Sequence, residues 1–158
     1  MEYIKSFFED EMYYFELDDQ QIAYRQIVVT DTDSKVSIAP DFMLAEAEVE
    51  YEPDEKIGVV EFEIAWESAI SKYRKQWDYY KQQYLPGDSV TGVLRMFYPQ
   101  GCVIQLDEHT YAIADRAMLP EQIDGLPLGI GIVIAGKVSG YDEQNLWVQL
   151  DQCTVEHI

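Results

Sequence analysis

The sequence predicts two parts: a small α+β unit over residues 1–83 and an all-β five-stranded barrel over residues 85–152, with residues 153–158 as a tail. Three observations predict this arrangement. Apolar side chains recur at a helical period up to about residue 84 and then stop. Pro86 and Gly87 stand where the period ends, as chain punctuation. Beyond them come five short apolar runs, each separated from the next by turn residues.

In the first part, Ile22 to Thr30 and Lys35 to Ile38 flank the polar cluster Asp31-Thr32-Asp33-Ser34 and predict a hairpin. From Ala45 to Glu52 the alternation is strict. Ala45, Ala47, Val49 and Tyr51 share one face, and Glu46, Glu48, Glu50 and Glu52 the other. This predicts a half-buried strand with a row of outward carboxylates. Ile57 to Ile64 repeats the pattern, with Val60, Phe62 and Ile64 expected inward. A helix is then expected from about Ala65 to Tyr84, because Trp66, Ala69, Ile70, Tyr73, Trp77, Tyr80 and Tyr84 recur at steps of three and four. Lys72, Lys75 and Tyr79 occupy its other side, with Arg74 and Lys81 close by, and form the one basic cluster in the sequence.

In the second part, strands are expected at Ser89–Tyr98, Cys102–Leu106, Tyr111–Asp115, Ile130–Ser139 and Leu146–Gln152. A short helical or irregular segment, Ala117 to Gln122, falls between the third and fourth. Five strands with extra structure after the third match the order of the five-stranded Greek-key barrel known as the OB-fold.

Residues 85–152 also resemble the S-one-type RNA-binding domain, named for small-subunit ribosomal protein one. The residues that carry the likeness are Pro86-Gly87-Asp88-Ser89-Val90-Thr91-Gly92-Val93-Leu94, then Gln100-Gly101-Cys102-Val103-Ile104-Gln105-Leu106. Lys137-Val138-Ser139-Gly140-Tyr141-Asp142-Glu143 and Leu146-Trp147-Val148-Gln149-Leu150 complete it. The whole arrangement looks like small, uncharacterised bacterial proteins with a C-terminal domain of this type. The resemblance implies RNA or single-stranded nucleic-acid binding without catalysis. In the family, two aromatics on the second strand stack bases and a His on the third completes the surface; the aligned positions here are Gln100, Val103 and Ala114. Phe97, Tyr98, Tyr111 and Trp147 are the rings that can substitute, with Arg95, Arg116 and Lys137 as phosphate partners and Lys72 and Lys75 extending the surface. A stacked base contributes roughly 1–3 kcal/mol, so the placement of these rings decides the affinity.

Charge bounds that expectation. Thirty Asp and Glu against eleven Lys and Arg leave a net charge of −19 over 158 residues. Strong non-specific binding to nucleic acid or to an anionic membrane is excluded unless a local basic patch overrides the mean field. The second class of function is therefore an acidic protein-interaction module for a basic partner, of the nucleic-acid-mimic or toxin-neutralising type, using Glu46, Glu48, Glu50 and Glu52.

An enzyme is not expected. Cys102 and Cys153 lie in apolar runs without CxxC spacing, as buried small side chains or as a pair brought together by the fold. His109 and His157 show no metal-ligand spacing with them, so no metal and no cofactor are expected. Gly129-Ile130-Gly131 precedes a strand-like run where a dinucleotide fingerprint requires a helix. Asp31-Thr32-Asp33 lacks the Gly and Glu of a calcium loop, and no Ser stands in a GxSxG elbow. The longest apolar stretch, Leu128 to Ala135, is broken by glycines and too short to span a bilayer. The start of the chain lacks a signal-peptide layout, so the expected location is the cytoplasm.

Overall fold

A computed structural model describes residues 1–156 and divides the chain into two compact units, the first ending at Tyr73 and the second beginning at Arg74. The division falls inside the helix rather than at the Pro86-Gly87 punctuation. His157 lies outside the described residues.

The first unit is a five-stranded antiparallel sheet in the order β4-β3-β2-β1-β5, formed by β1 (Glu2–Phe8), β2 (Glu11–Leu17), β3 (Ala23–Val29), β4 (Ser34–Val36) and β5 (Lys56–Ile57). β1 and β2 form a hairpin closed at Phe8 and Glu11, whose two linking residues, Glu9 and Asp10, have φ of 50° and 66°. Positive φ at both positions is the tight turn whose twist matches that of the strands.

Both faces of this sheet are covered. On one, Ile4, Phe15, Leu17 and Ala23 pack beneath Leu44, Ala45, Val49 and Tyr51. The carboxylates of Glu46, Glu48, Glu50 and Glu52 are exposed, as the alternation predicts, but the segment carrying them is not a strand. It lies across the sheet face rather than pairing at an edge, held by Val49 N–H donating to the Gln21 carbonyl and Ala45 N–H to the Gln26 side chain. Alternation reports one-sided burial, and a segment can have that without a hydrogen-bonded ladder.

The other face meets α1 (Val59–Tyr80), which starts within the run expected to be a strand. Phe62 and Trp66 are fully buried with Ala69 and Ile70, whereas Val60 and Ile64, expected inward, are 68% and 67% exposed. Of that run only Ile57 pairs in the sheet, beside Lys56 that precedes it. At the other end α1 stops at Tyr80, followed by a 3₁₀ turn over Lys81–Gln83.

Arg25 of β3 projects onto this face and is 1% exposed. Its guanidinium grips the Glu16 carboxylate through two bonds, Nε to Oε1 at 3.0 Å and Nη2 to Oε2 at 2.7 Å, and donates from Nη1 to Glu63 at 3.1 Å. Its centre lies 4.8 Å from the ring of Phe62 and 5.1 Å from that of Trp66. Burial works against the charge, but the hydrogen bonds from Glu16 and Glu63 outweigh it and raise the guanidinium pKa.

The second unit is a closed barrel of β6 (Ser89–Tyr98), β7 (Gly101–Gln105), β8 (Tyr111–Ala114), β11 (Val133–Asp142) and β12 (Trp147–Val155). Sequential strands pair antiparallel from β6 to β8, β12 joins β8 in parallel, and β11 closes on β6. This is an OB-like barrel, with five strands in the expected order. The last strand runs to Val155, so the residues expected to begin a tail at 153 belong to the ladder. Between β8 and β11 the chain makes a 3₁₀ turn at Arg116–Met118 and a two-residue hairpin of β9 (Gln122–Ile123) and β10 (Leu126–Pro127). Leu94, Cys102, Ile104, Ala112, Ala114, Ile134, Val148 and Cys153 fill the interior. Both cysteines are free and buried, and burial pushes both thiols up, Cys153 to about 11. Among the described residues no helix is long and apolar enough to cross a membrane.

Candidate nucleic-acid interface

Strand alternation sorts the barrel side chains. Cys102, Ile104, Ala112 and Ala114 point into the core, so Val103, Gln105, Tyr111 and Ile113 face outward on β7 and β8. Register sets Gln105 against both Val93 and Tyr111, and Val103 against Met96 and Ile113. Arg95 belongs to this face, donating from Nε to the Gln105 side-chain carbonyl at 2.8 Å.

Of the three positions that the S-one resemblance aligns with base contacts, Gln100 is half-buried and the other two are buried. Val103 is 0% exposed on the outer face, shut in among its cross-strand neighbours, and Ala114 lies inside the barrel at 1%. Neither side chain can meet a ligand, which corrects the assignment of Val103 to the site.

The substitute rings divide. Trp147 is buried at 1%, with Tyr98 half-buried against it at a ring distance of 6.1 Å and an angle of 61°. Burial holds the Tyr98 hydroxyl well above the usual tyrosine range. Phe97 differs, being 43% exposed and carrying the Arg116 guanidinium 5.1 Å from its ring centre. Arg116 also donates weakly to the Pro120 carbonyl at 3.5 Å. Tyr111 is half-buried on the outer face. Lys137 is exposed on β11, in a shallow groove with Ser89, Thr91, Gln152 and Thr154.

Three of the helical cations, Lys72, Arg74 and Lys81, are already engaged. Lys72 bonds Asp33 at 2.9 Å and the Ser34 carbonyl at 2.7 Å within the first unit. In the second unit, Glu143 accepts from Lys81 at 2.6 Å and from the Trp77 indole at 2.7 Å, and Arg74 lies 3.6 Å from the same carboxylate. Lys75 is exposed. Most of the basic cluster is thus neutralised by carboxylates, which the sequence could not show because Asp33 and Glu143 are remote along the chain. Sequence reasoning also missed the face-on pairing of Phe97 and Arg116, although both residues were candidates singly.

The turn between β7 and β8 is fixed by Asp107. Its carboxylate accepts the backbone N–H of His109 at 2.7 Å and of Thr110 at 2.9 Å, and the Tyr84 hydroxyl donates to it. Burial alone would raise the Asp107 pKa, but these hydrogen bonds outweigh it and hold the group below the usual aspartate value. A depressed folded-state pKa contributes stability that is present above the unfolded value and lost as the pH falls through the folded one. Asp107→Asn should therefore cost about 1 kcal/mol at neutral pH. Thermal melts should also show a shallower loss of stability on acidification than in the parent. Parallel acid profiles would mean that Asp107 is not held as the geometry implies.

Among the described residues no group of three or more His, Cys, Asp or Glu could hold a metal ion. No protein-family model and no curated protein matches the chain.

Proposed function

We propose that the protein binds RNA or single-stranded nucleic acid without catalysis, through an S-one-like barrel whose contact surface is centred on Phe97 and Arg116. The observation that carries this reading is the solvent-facing Phe97 ring with a guanidinium over its face. A ring open to solvent can stack a base, and a cation beside it can meet the adjoining phosphate. Arg95 and Tyr111 on the outer face and Lys137 on β11 are the other polar groups the barrel offers, on surfaces separate from the Phe97 ring. The closed OB-like barrel supports the reading, and the S-one resemblance of residues 85–152 gives its ligand class. With ten carboxylates against three cations from residue 84 onward, affinity rests on stacking rather than on a charged funnel.

Titration of fluorescent single-stranded RNA with the full chain tests this at low and at physiological salt. Binding should be weak and salt-dependent. Phe97→Ala should weaken it by about 1–3 kcal/mol, roughly fivefold to 150-fold. Arg116→Gln should flatten the salt dependence. Equal affinity in Phe97→Ala, or no binding at low salt, would overturn the proposal.

A further inference from the structure

The last turn of α1 builds a ladder of aromatic rings in the second unit, away from Phe97. The imidazole of His109, in the turn between β7 and β8, stacks on the ring of Tyr80 at 4.6 Å and 14°. Tyr79 meets Tyr80 edge-on, at 5.3 Å and 78°, and is 64% exposed. His109 is exposed too, so both ends of the ladder are open to water. The ladder is held from both sides. Asp107 fixes the backbone of His109 by accepting its N–H at 2.7 Å. Glu143 fixes the helix end, accepting from the Trp77 indole at 2.7 Å and from Lys81 at 2.6 Å. All of these residues belong to the second unit. Rings held in this way lose little freedom when a further ring stacks on them.

Ring chemistry and one cation select the occupant. Lys75 lies four residues before Tyr79, on the same side of α1. It is exposed, and among the described residues it enters no ion pair, unlike Lys72, Arg74 and Lys81. Glu108 extends beside the imidazole, 3.9 Å from its Nε2, at the end of the ladder away from Tyr79. The ladder already holds one planar heterocycle, the imidazole, face to face on a phenol ring. A flat ring that carries an anion suits Tyr79 and Lys75 together, the base stacking while its phosphate meets the ammonium. An aromatic peptide side chain stacks equally well but brings no anion to Lys75. An anionic lipid surface offers no planar ring and is repelled by a chain of net charge −19. We propose that Tyr79, Tyr80 and Lys75 form a second stacking station for single-stranded nucleic acid, at the opposite end of β7 from Phe97. The ligand class rests on the proposed function of the barrel, whereas the residues and the surface are separate from it. β7 has five residues and is about 16 Å long, so a strand must run to several nucleotides to reach both stations. Two linked contacts then raise affinity through effective concentration, a gain closed to a short strand.

The probes are fluorescein-labelled oligouridines of about 4 and about 16 nucleotides, the limits of the site size of an OB-type barrel, titrated with the full chain. Tyr79→Leu keeps bulk and helix propensity but removes the ring. It should weaken binding of the long strand at least about fivefold. The short strand should lose at most about twofold, because it can use either station alone. Tyr79→Phe should keep the parent affinity for both, which separates the ring from its hydroxyl. Lys75→Gln should reduce the slope of log affinity against log salt for the long strand by about 0.7, one phosphate contact. Both positions are exposed, so circular dichroism should be unchanged in each variant. The proposal fails if Tyr79→Leu binds the long strand like the parent, or if Tyr79→Phe loses as much as Tyr79→Leu. Phe97→Ala separates the two sites. If it also weakens binding, an equal loss for both strands in Tyr79→Leu would overturn the proposal, since the two rings would then act as one site. If Phe97→Ala is inert while Tyr79→Leu weakens both strands, the interface at Phe97 falls and the ladder stands as the binding site. A parent that binds neither strand at low salt overturns both.

Discussion

Arg25→Met should destabilise the first unit by about 3–5 kcal/mol, the range for removing one partner of a buried ionic group. The guanidinium satisfies both oxygens of Glu16 and both of Glu63, and Glu16 is 9% exposed. Met approximates the volume of the aliphatic stem but leaves two carboxylates facing each other and two aromatic rings without their cation. Most of the loss is the cost of the stranded carboxylates rather than of a lost bond. One further outcome tests this cause. Arg25→Met combined with Glu16→Leu should recover most of the loss, because the buried charge goes with its partner. Denaturant titration reads the loss by tryptophan fluorescence, to which Trp66 against Arg25 contributes in the first unit beside Trp77 and Trp147 in the second. A single variant within about 1 kcal/mol of the parent would show that water reaches Glu16 more freely than its burial implies.

The triad also shows why the first unit was less legible than the barrel. In β6, β7, β8, β11 and β12 one face packs inward and turn clusters punctuate the ends, so an alternating pattern survives in the sequence. β6 is found over the residues expected, and the others shift by up to three. β1 and β2 carry no such pattern. Both their faces are covered, and Tyr and Phe occur in both registers. Their turn is Glu9-Asp10 rather than a glycine-containing pair, so the strongest hairpin signal is missing too.

The run from Ile57 to Ile64 misleads for a different reason. Five residues of alternation, Val60 to Ile64, fit a strand, yet Phe62 is also the first member of the helical series Phe62, Trp66, Ala69/Ile70, Tyr73 and Trp77. The longer periodicity wins because it buries two rings against the sheet, and it turns Val60 and Ile64 to solvent. The aliphatic stripe on α1 is the residue of that conflict. At the candidate interface, residue types alone could name Phe97 and Arg116 but not their contact. The family positions Val103 and Ala114 could be recognised as departures, but their burial depended on cross-strand neighbours.

Gly101→Ala should destabilise the barrel by about 2–4 kcal/mol, from two separable causes. Gly101 opens β7 with φ of 147°, which L side chains rarely adopt, and an added Cβ would lie 2.3 Å from the carbonyl oxygen of Ala114 on β8. That neighbour is backbone in a paired strand and cannot swing aside, so β7 and β8 must part. Gly87 provides the comparison: its φ is 95°, but an added Cβ meets nothing within 4 Å. Gly87→Ala therefore incurs backbone strain alone, about 1 kcal/mol, and the difference between the two variants measures the interstrand contact. Because Tyr98 pairs with Gly101 and Phe97 with Cys102, separating β7 from β8 also displaces the corner that presents the Phe97 ring. Gly101→Ala should then weaken RNA binding at temperatures where the barrel is still folded, whereas Gly87→Ala should not. Equal stabilities for the two variants would mean that β7 and β8 are not packed as closely as Gly101 permits. A stable Gly101→Ala that retains full affinity would detach the Phe97 corner from the interface.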